Sequence, residues 1–184
     1  MRKTPVVWIF FFIMVATGAI YFLINKKQSS TRLDTSAITT TVSEIAGTNH
    51  IPTGWREYQN ATYHFSLLYP KELSVTEHSE GGGAITVTFQ NEQEAKGFQI
   101  FIVPYAEPQI SESRFKKDVP SGVRTDLVDI TIDTATGASF YSTDAMLGET
   151  KEIWFVHDGW LYEVTTIKPL DLWLDEIMKT WKFL

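Results

Sequence analysis

Four histidines, three aspartates between positions 126 and 133, and a Gly81-Gly82-Gly83 run are the residues here whose types could do chemistry. A structural zinc site needs Cys or His ligands at helical or finger spacing. The chain has no Cys, and none of His50, His64, His78 and His157 has a second ligand at such spacing. His64 and His157 read as strand residues whose rings face solvent or accept a hydrogen bond. A phosphate-cradling glycine loop is followed by Lys-Ser/Thr and opens a helix. Neither follows Gly83, so the glycines read as a hairpin connection. Asp126, Asp129 and Asp133 lack the oxygen-rich spacing of a calcium loop and read as exposed strand and turn positions. Ser139, Ser142 and Thr143 have no nucleophile-elbow sequence around them. Asn60-Ala61-Thr62 matches a glycan acceptor triplet, but Asn60 is explained by turn chemistry. Trp154, Trp160 and Trp173 are expected in packing rather than in a ligand platform. No residue is assigned a catalytic, cofactor-binding or metal-binding role.

Charge narrows the partners. Residues 1–52 hold five basic and two acidic side chains, which leaves 11 basic and 20 acidic ones beyond them. The second part is thus at −9 of a total of −6. Phosphate binding requires clustered Lys and Arg. The nearest cluster, Arg114, Lys116 and Lys117, lies among Glu112, Asp118 and Asp126, so no nucleic-acid partner is expected.

Residues 5–24, PVVWIFFFIMVATGAIYFLI, contain no charged side chain over twenty positions. As a helix rising ~1.5 Å per residue, the run spans about 30 Å, the thickness of a bilayer's hydrocarbon core. A cleaved export signal would need its small-residue site after the apolar block. Ala16, Gly18 and Ala19 instead fall inside it, so an uncleaved transmembrane anchor is expected, with lipid as its partner. The basic flanks nearly balance, Arg2 and Lys3 against Lys26, Lys27 and Arg32. With a four-residue tail on one side and the bulk on the other, the expected arrangement is single-pass in the cell membrane, tail cytoplasmic and C-terminal part extracytoplasmic. Residues 25–52 are rich in Ser and Thr, lack aromatics, and read as a flexible spacer.

A folded domain is expected over 53–184. Ile85, Val87 and Phe89 alternate with Thr86 and Thr88 in a half-buried strand. Phe98–Val103, apolar on both faces, predicts an interior strand. Val128, Ile130 and Ile132 predict another, followed by a turn over 134–137 and a returning strand over 138–143. Strands at 153–157 and 160–167 flank Asp158-Gly159, a two-residue hairpin signal. Tyr63, Phe65 and Leu67 share one strand face, His64, Ser66 and Leu68 the other, and Pro70 ends that strand. Ser111 as N-cap predicts a helix to Asp118, with Pro120 just past its end. Leu170, Trp173, Leu174, Ile177, Met178 and Trp181 recur at helical spacing after Pro169. An antiparallel sheet with flanking helices defines an α+β class.

The opening W-x-x-Y-x-N-x-x-Y-x-F-x-x-x-Y-P, from Trp55 to Pro70, and the closing DEIMKTWKF resemble the signatures of PsbP-like domains. The resemblance implies the Mog1/PsbP-type α-β-α sandwich over the whole soluble part. His64 stands where that family often has Gly, and Leu73 where it often has Trp. PsbP itself is an extrinsic photosystem II subunit that helps retain calcium and chloride. The role implied here is a membrane-tethered, non-enzymatic accessory or binding domain with an envelope protein partner. An alternative is a ligand or divalent-ion (calcium) sensor using the sheet face or the Asp-bearing turns. A third is an enzyme, which would need a deep pocket with convergent polar groups.

Overall fold

The computed structural model describes residues 51–119 and 121–184. The expected tail, anchor and all but the last two residues of the spacer lie outside them. Among the described residues no helix is long and apolar enough to cross a membrane.

The packed part begins with a hairpin of β1 (Trp55–Asn60) and β2 (Phe65–Pro70). Its turn is organised by Asn60, whose Oδ1 accepts from the backbone N–H of both Thr62 and Tyr63 at 3.1 Å. The Asn60 amide in turn donates to the Tyr58 hydroxyl at 2.9 Å, so the whole side chain is committed to the fold. His64 closes the turn at φ +53° rather than lying on the strand, which corrects the expected assignment. A left-handed φ costs an ordinary residue about 1–2 kcal/mol, a cost glycine escapes. His64→Gly is expected to raise stability by about 1 kcal/mol. The check is a higher urea midpoint at unchanged slope.

Three further strands follow as a meander: β3 (Ser74–Gly81), β4 (Ala84–Asn91) and β5 (Lys96–Pro104). The three glycines make the β3–β4 connection, all at positive φ, as expected for a hairpin. Helix α1 (Glu112–Asp118) then carries the chain to the far edge, its N-terminus capped by the Ser111 hydroxyl, which accepts from the Arg114 N–H. A second meander returns through β6 (Thr125–Ile132), β7 (Ala135–Asp144), β8 (Gly148–His157) and β9 (Trp160–Ile167). Asp158 and Gly159 both take positive φ, as the two-residue turn requires. The chain ends with α2 (Asp171–Met178) and the short β10 (Lys182–Phe183).

Strands β3-β4-β5-β9-β8-β7-β6 form one seven-stranded antiparallel sheet, and β1-β2-β10 a smaller one. The small sheet and α2 cover one face of the large sheet. Phe65 and Leu67 of β2 are buried there against Phe89, Ile100, Phe155 and Val164. Trp181 stacks on Phe65 with ring centroids 4.2 Å apart and planes 2° from parallel. Helix α1 covers the other face, where Phe115 stacks on Trp154 at 5.2 Å. Helices thus flank a mostly antiparallel sheet, consistent with the expected α+β class, and the first face is completed by three strands.

Several expectations need correction. The β6–β7 turn is Asp133-Thr134, and Gly137 lies inside β7, not in the turn. Helix α2 stops at Met178 rather than running to Trp181. Its end is tied off by Thr180, whose hydroxyl donates to Ile177 O at 2.6 Å and accepts from Leu68 N at 2.8 Å. That lets the chain turn and drive Trp181 into the core. Strands β1, β3 and β10 were not expected. β3 is an edge strand with exposed Glu77 and His78, so it carries no apolar alternation.

Candidate functional site

Two places gather polar groups against the grain of an apolar fold. The first is sealed beneath α1. Arg114 projects onto β9 and donates to Glu163 Oε1 at 2.9 Å, and it also pairs with Asp118 one turn along its own helix. Only 9% of Arg114 and 8% of Glu163 is exposed, so one guanidinium faces two carboxylates with little water to screen them. Burial first, then the Asp118 charge, raises the Glu163 carboxyl well above its ordinary range against the opposing pull of Arg114. Nearby Glu152 accepts from Thr150, Thr165 and Trp154 at 2.7, 2.7 and 3.1 Å. Burial still pushes its carboxyl up, more than those three bonds hold it down. Perturbed acids are a signature of active sites, but structural networks produce them too. Phe115 of α1 and Val119, the residue that caps its C-terminus, seal this face of the sheet.

The second place is open. On the first face, the small sheet and α2 leave part of β6, β7 and β8 uncovered, and a groove of 640 Å³ runs there beside α2. Its floor is apolar, from Ile130, Ile132 and Ile153 to Met178. Val128 and Leu172 stand over it, 54% and 76% exposed. Val128, Ser139 and Ile153 lie side by side across β6, β7 and β8. Ser139 and Trp181 line the groove at 3% and 1% exposure, and the Ser139 Oγ and Trp181 Nε1 atoms have no hydrogen-bond partner among the described residues. Charges rim it: Lys179 bonds Glu176 at 2.5 Å, and Lys182 lies 4.0 Å from Asp133. Lys151 and Asp175 also line it, and neither makes an ion pair among the described residues. Lys151 rests over the Tyr141 ring at 5.0 Å. The Tyr141 hydroxyl donates to Asp171 at 2.7 Å, and that bond leads the effects that push its pKa up to about 12.

The residues weighed from the sequence are scattered. His157 stacks on Phe183 at 3.6 Å, His78 is exposed on β3, and His50 lies outside the described residues. Among the described residues no group of three or more His, Cys, Asp and Glu is placed to hold a metal ion. Asp126 and Asp133 sit at positive φ, in a bulge and a turn. Trp154 lies under α1, Trp160 packs edge-on to Tyr63 at 4.7 Å, and Trp173 meets Phe98 at 5.9 Å, so they form no common platform. The serine reading found Ser139 without seeing its setting. Glu152, Glu163 and Lys151 were missed. The signal for Glu163 was a lone charge in an otherwise apolar strand, Tyr162-Glu163-Val164, whereas Lys151 and Glu152 stand together in Glu149-Thr150-Lys151-Glu152, which reads as an ordinary polar strand end.

No family model and no curated protein sequence matches this chain. The fold itself, a seven-stranded antiparallel sheet with one helix on each face and a small sheet closing the core, is PsbP-like. It is similar to the solution structure of cyanobacterial PsbP (CyanoP) from Synechocystis sp. PCC 6803, with a TM-score of 0.51 and 13% identity. The match covers 77% of this chain and 98% of that one.

Proposed function

We propose that the chain is a membrane-tethered, non-enzymatic accessory domain that binds an envelope component outside the cytoplasm. The observation that carries this reading is the contrast between its two polar places. The perturbed carboxylates are packed away under α1, while the open groove offers an apolar floor with charges at its rim. That is what a binding surface needs and is poor material for acid–base chemistry, which requires the titrating group within reach of substrate. The PsbP-like fold supports an accessory role, and the uncharged run over 5–24 supports the tether. The test is fractionation and protease shaving of sealed cells. Full-length protein is expected to stay in the membrane pellet through an alkaline carbonate wash and to lose its C-terminal domain to external protease. Recovery in the aqueous fraction, or protection of the domain until the membrane is broken, would overturn the reading.

A further inference from the structure

We infer that the groove beside α2 binds an extended, uncharged peptide segment with large apolar side chains, supplied by the partner of the proposed accessory role, a reading on which this inference rests. Three features of the groove select this chemistry. Isoleucines and Met178 line it, and at 640 Å³ it is an open groove, a shape that suits an extended segment lying along it. Two polar atoms on residues that line it, Ser139 Oγ and Trp181 Nε1, are buried without a hydrogen-bond partner among the described residues. An unmatched buried donor is costly to the free protein, and the indole N–H can only donate. An occupant that parts the groove wall and brings an acceptor removes that cost.

The third feature is charge. The rim carries three lysines and three carboxylates, and two pairs are already matched, Lys179 with Glu176 and Lys182 with Asp133. Among the described residues, Lys151, which rests over the Tyr141 ring, and Asp175 are left without an ion pair. A fatty acid would satisfy Lys151 and be repelled by Asp175. A peptide backbone satisfies both, because each residue offers a carbonyl to a donor and an N–H to an acceptor. Neutral side chains leave the balanced rim undisturbed, and apolar ones cover the isoleucine floor.

The experiment uses the full chain in lipid nanodiscs, with the indole ¹⁵N–H signal of Trp181 assigned by its loss in Trp181→Phe. Three probes are titrated: an end-blocked peptide alternating leucine and threonine, the same peptide with lysine and glutamate replacing threonine, and decanoate. The neutral peptide is expected to move the Trp181 signal saturably and to bind at least tenfold more tightly than the charged one. Ser139→Ala and Lys151→Met should each weaken it about tenfold, or about 1.4 kcal/mol, while leaving the urea midpoint near that of the parent. Decanoate binding in place of the peptide would overturn the inference in favour of a lipid-like ligand. So would peptide binding unaffected by both substitutions, or no binding at millimolar peptide. Should fractionation return the protein in the aqueous fraction, the same titration is run on the full chain in buffer, so the groove and the tether can fail separately.

Discussion

Replacing Arg114 by methionine is expected to destabilise the protein by about 3–5 kcal/mol, whereas Glu163→Gln should leave stability unchanged or raise it. The asymmetry comes from charge count. With Arg114 gone, Glu163 and Asp118 face each other beneath α1 with no cation between them. With Glu163 neutral, Arg114 keeps Asp118 as an ion partner and a glutamine oxygen still accepts from its guanidinium. The pH dependence has a definite sign. The folded-state Glu163 carboxyl titrates above its unfolded value, so folding favours its protonated form. The stability associated with that proton is fully present below the unfolded value, ~4.3, and is lost as pH rises through the raised folded value. Glu163→Gln removes this loss, so its advantage over the parent should widen across that window. Glu152 titrates in the same direction and leaves a residual slope in both proteins. Urea unfolding at a series of pH values measures all of this. Equal losses from Arg114→Met and Glu163→Gln would show that the cluster is screened by water.

Gly137→Ala is expected to cost about 3 kcal/mol or more, the upper end for overpacking. A Cβ at this position would lie 2.0 Å from the Trp154 carbonyl oxygen and 2.6 Å from the Phe155 Cβ. Both belong to the neighbouring β8, a strand interior to the sheet, so neither atom can swing away. The control is Gly82→Ala in the β3–β4 turn, where the new methyl meets open space and only the +61° φ is strained. That change should cost about 1 kcal/mol. Thermal or urea unfolding of the two variants distinguishes close approach from backbone conformation. A Gly137 variant no worse than the Gly82 one would mean that β7 and β8 can part locally.

Gly137 also shows where the sequence stops being legible. Thr134–Gly137 carries a turn's composition, and the true turn, Asp133-Thr134, begins one residue earlier. A glycine required by a neighbouring backbone looks the same, in one sequence, as a glycine required by a turn. The apolar strands of both meanders, the Asp158-Gly159 hairpin and the α1 cap were readable because their causes are local. β3 and β10 were not, since an exposed edge and a two-residue pairing leave no periodic trace. The groove was less legible still. Ser139 and Trp181 are 42 positions apart, and Ser139 becomes notable only once its hydroxyl is buried without a hydrogen-bond partner among the described residues. Glu163 is unremarkable until α1 lays Arg114 over it.

The two meanders meet along a single seam, with Gln99 against Thr165 and Val103 against Leu161. No strand joins them earlier, so the first meander waits through more than fifty residues of synthesis with the β5 edge bare. The β5–β9 pairing is non-local, and its loop-closure cost comes before any contact compensates it, which places such topologies among the slower folders. During that interval the protein depends on whatever shields a naked strand from its neighbours. Assembly of this domain is therefore governed by its last twenty-five residues, and a chain cut short before β9 would be left sticky rather than merely incomplete.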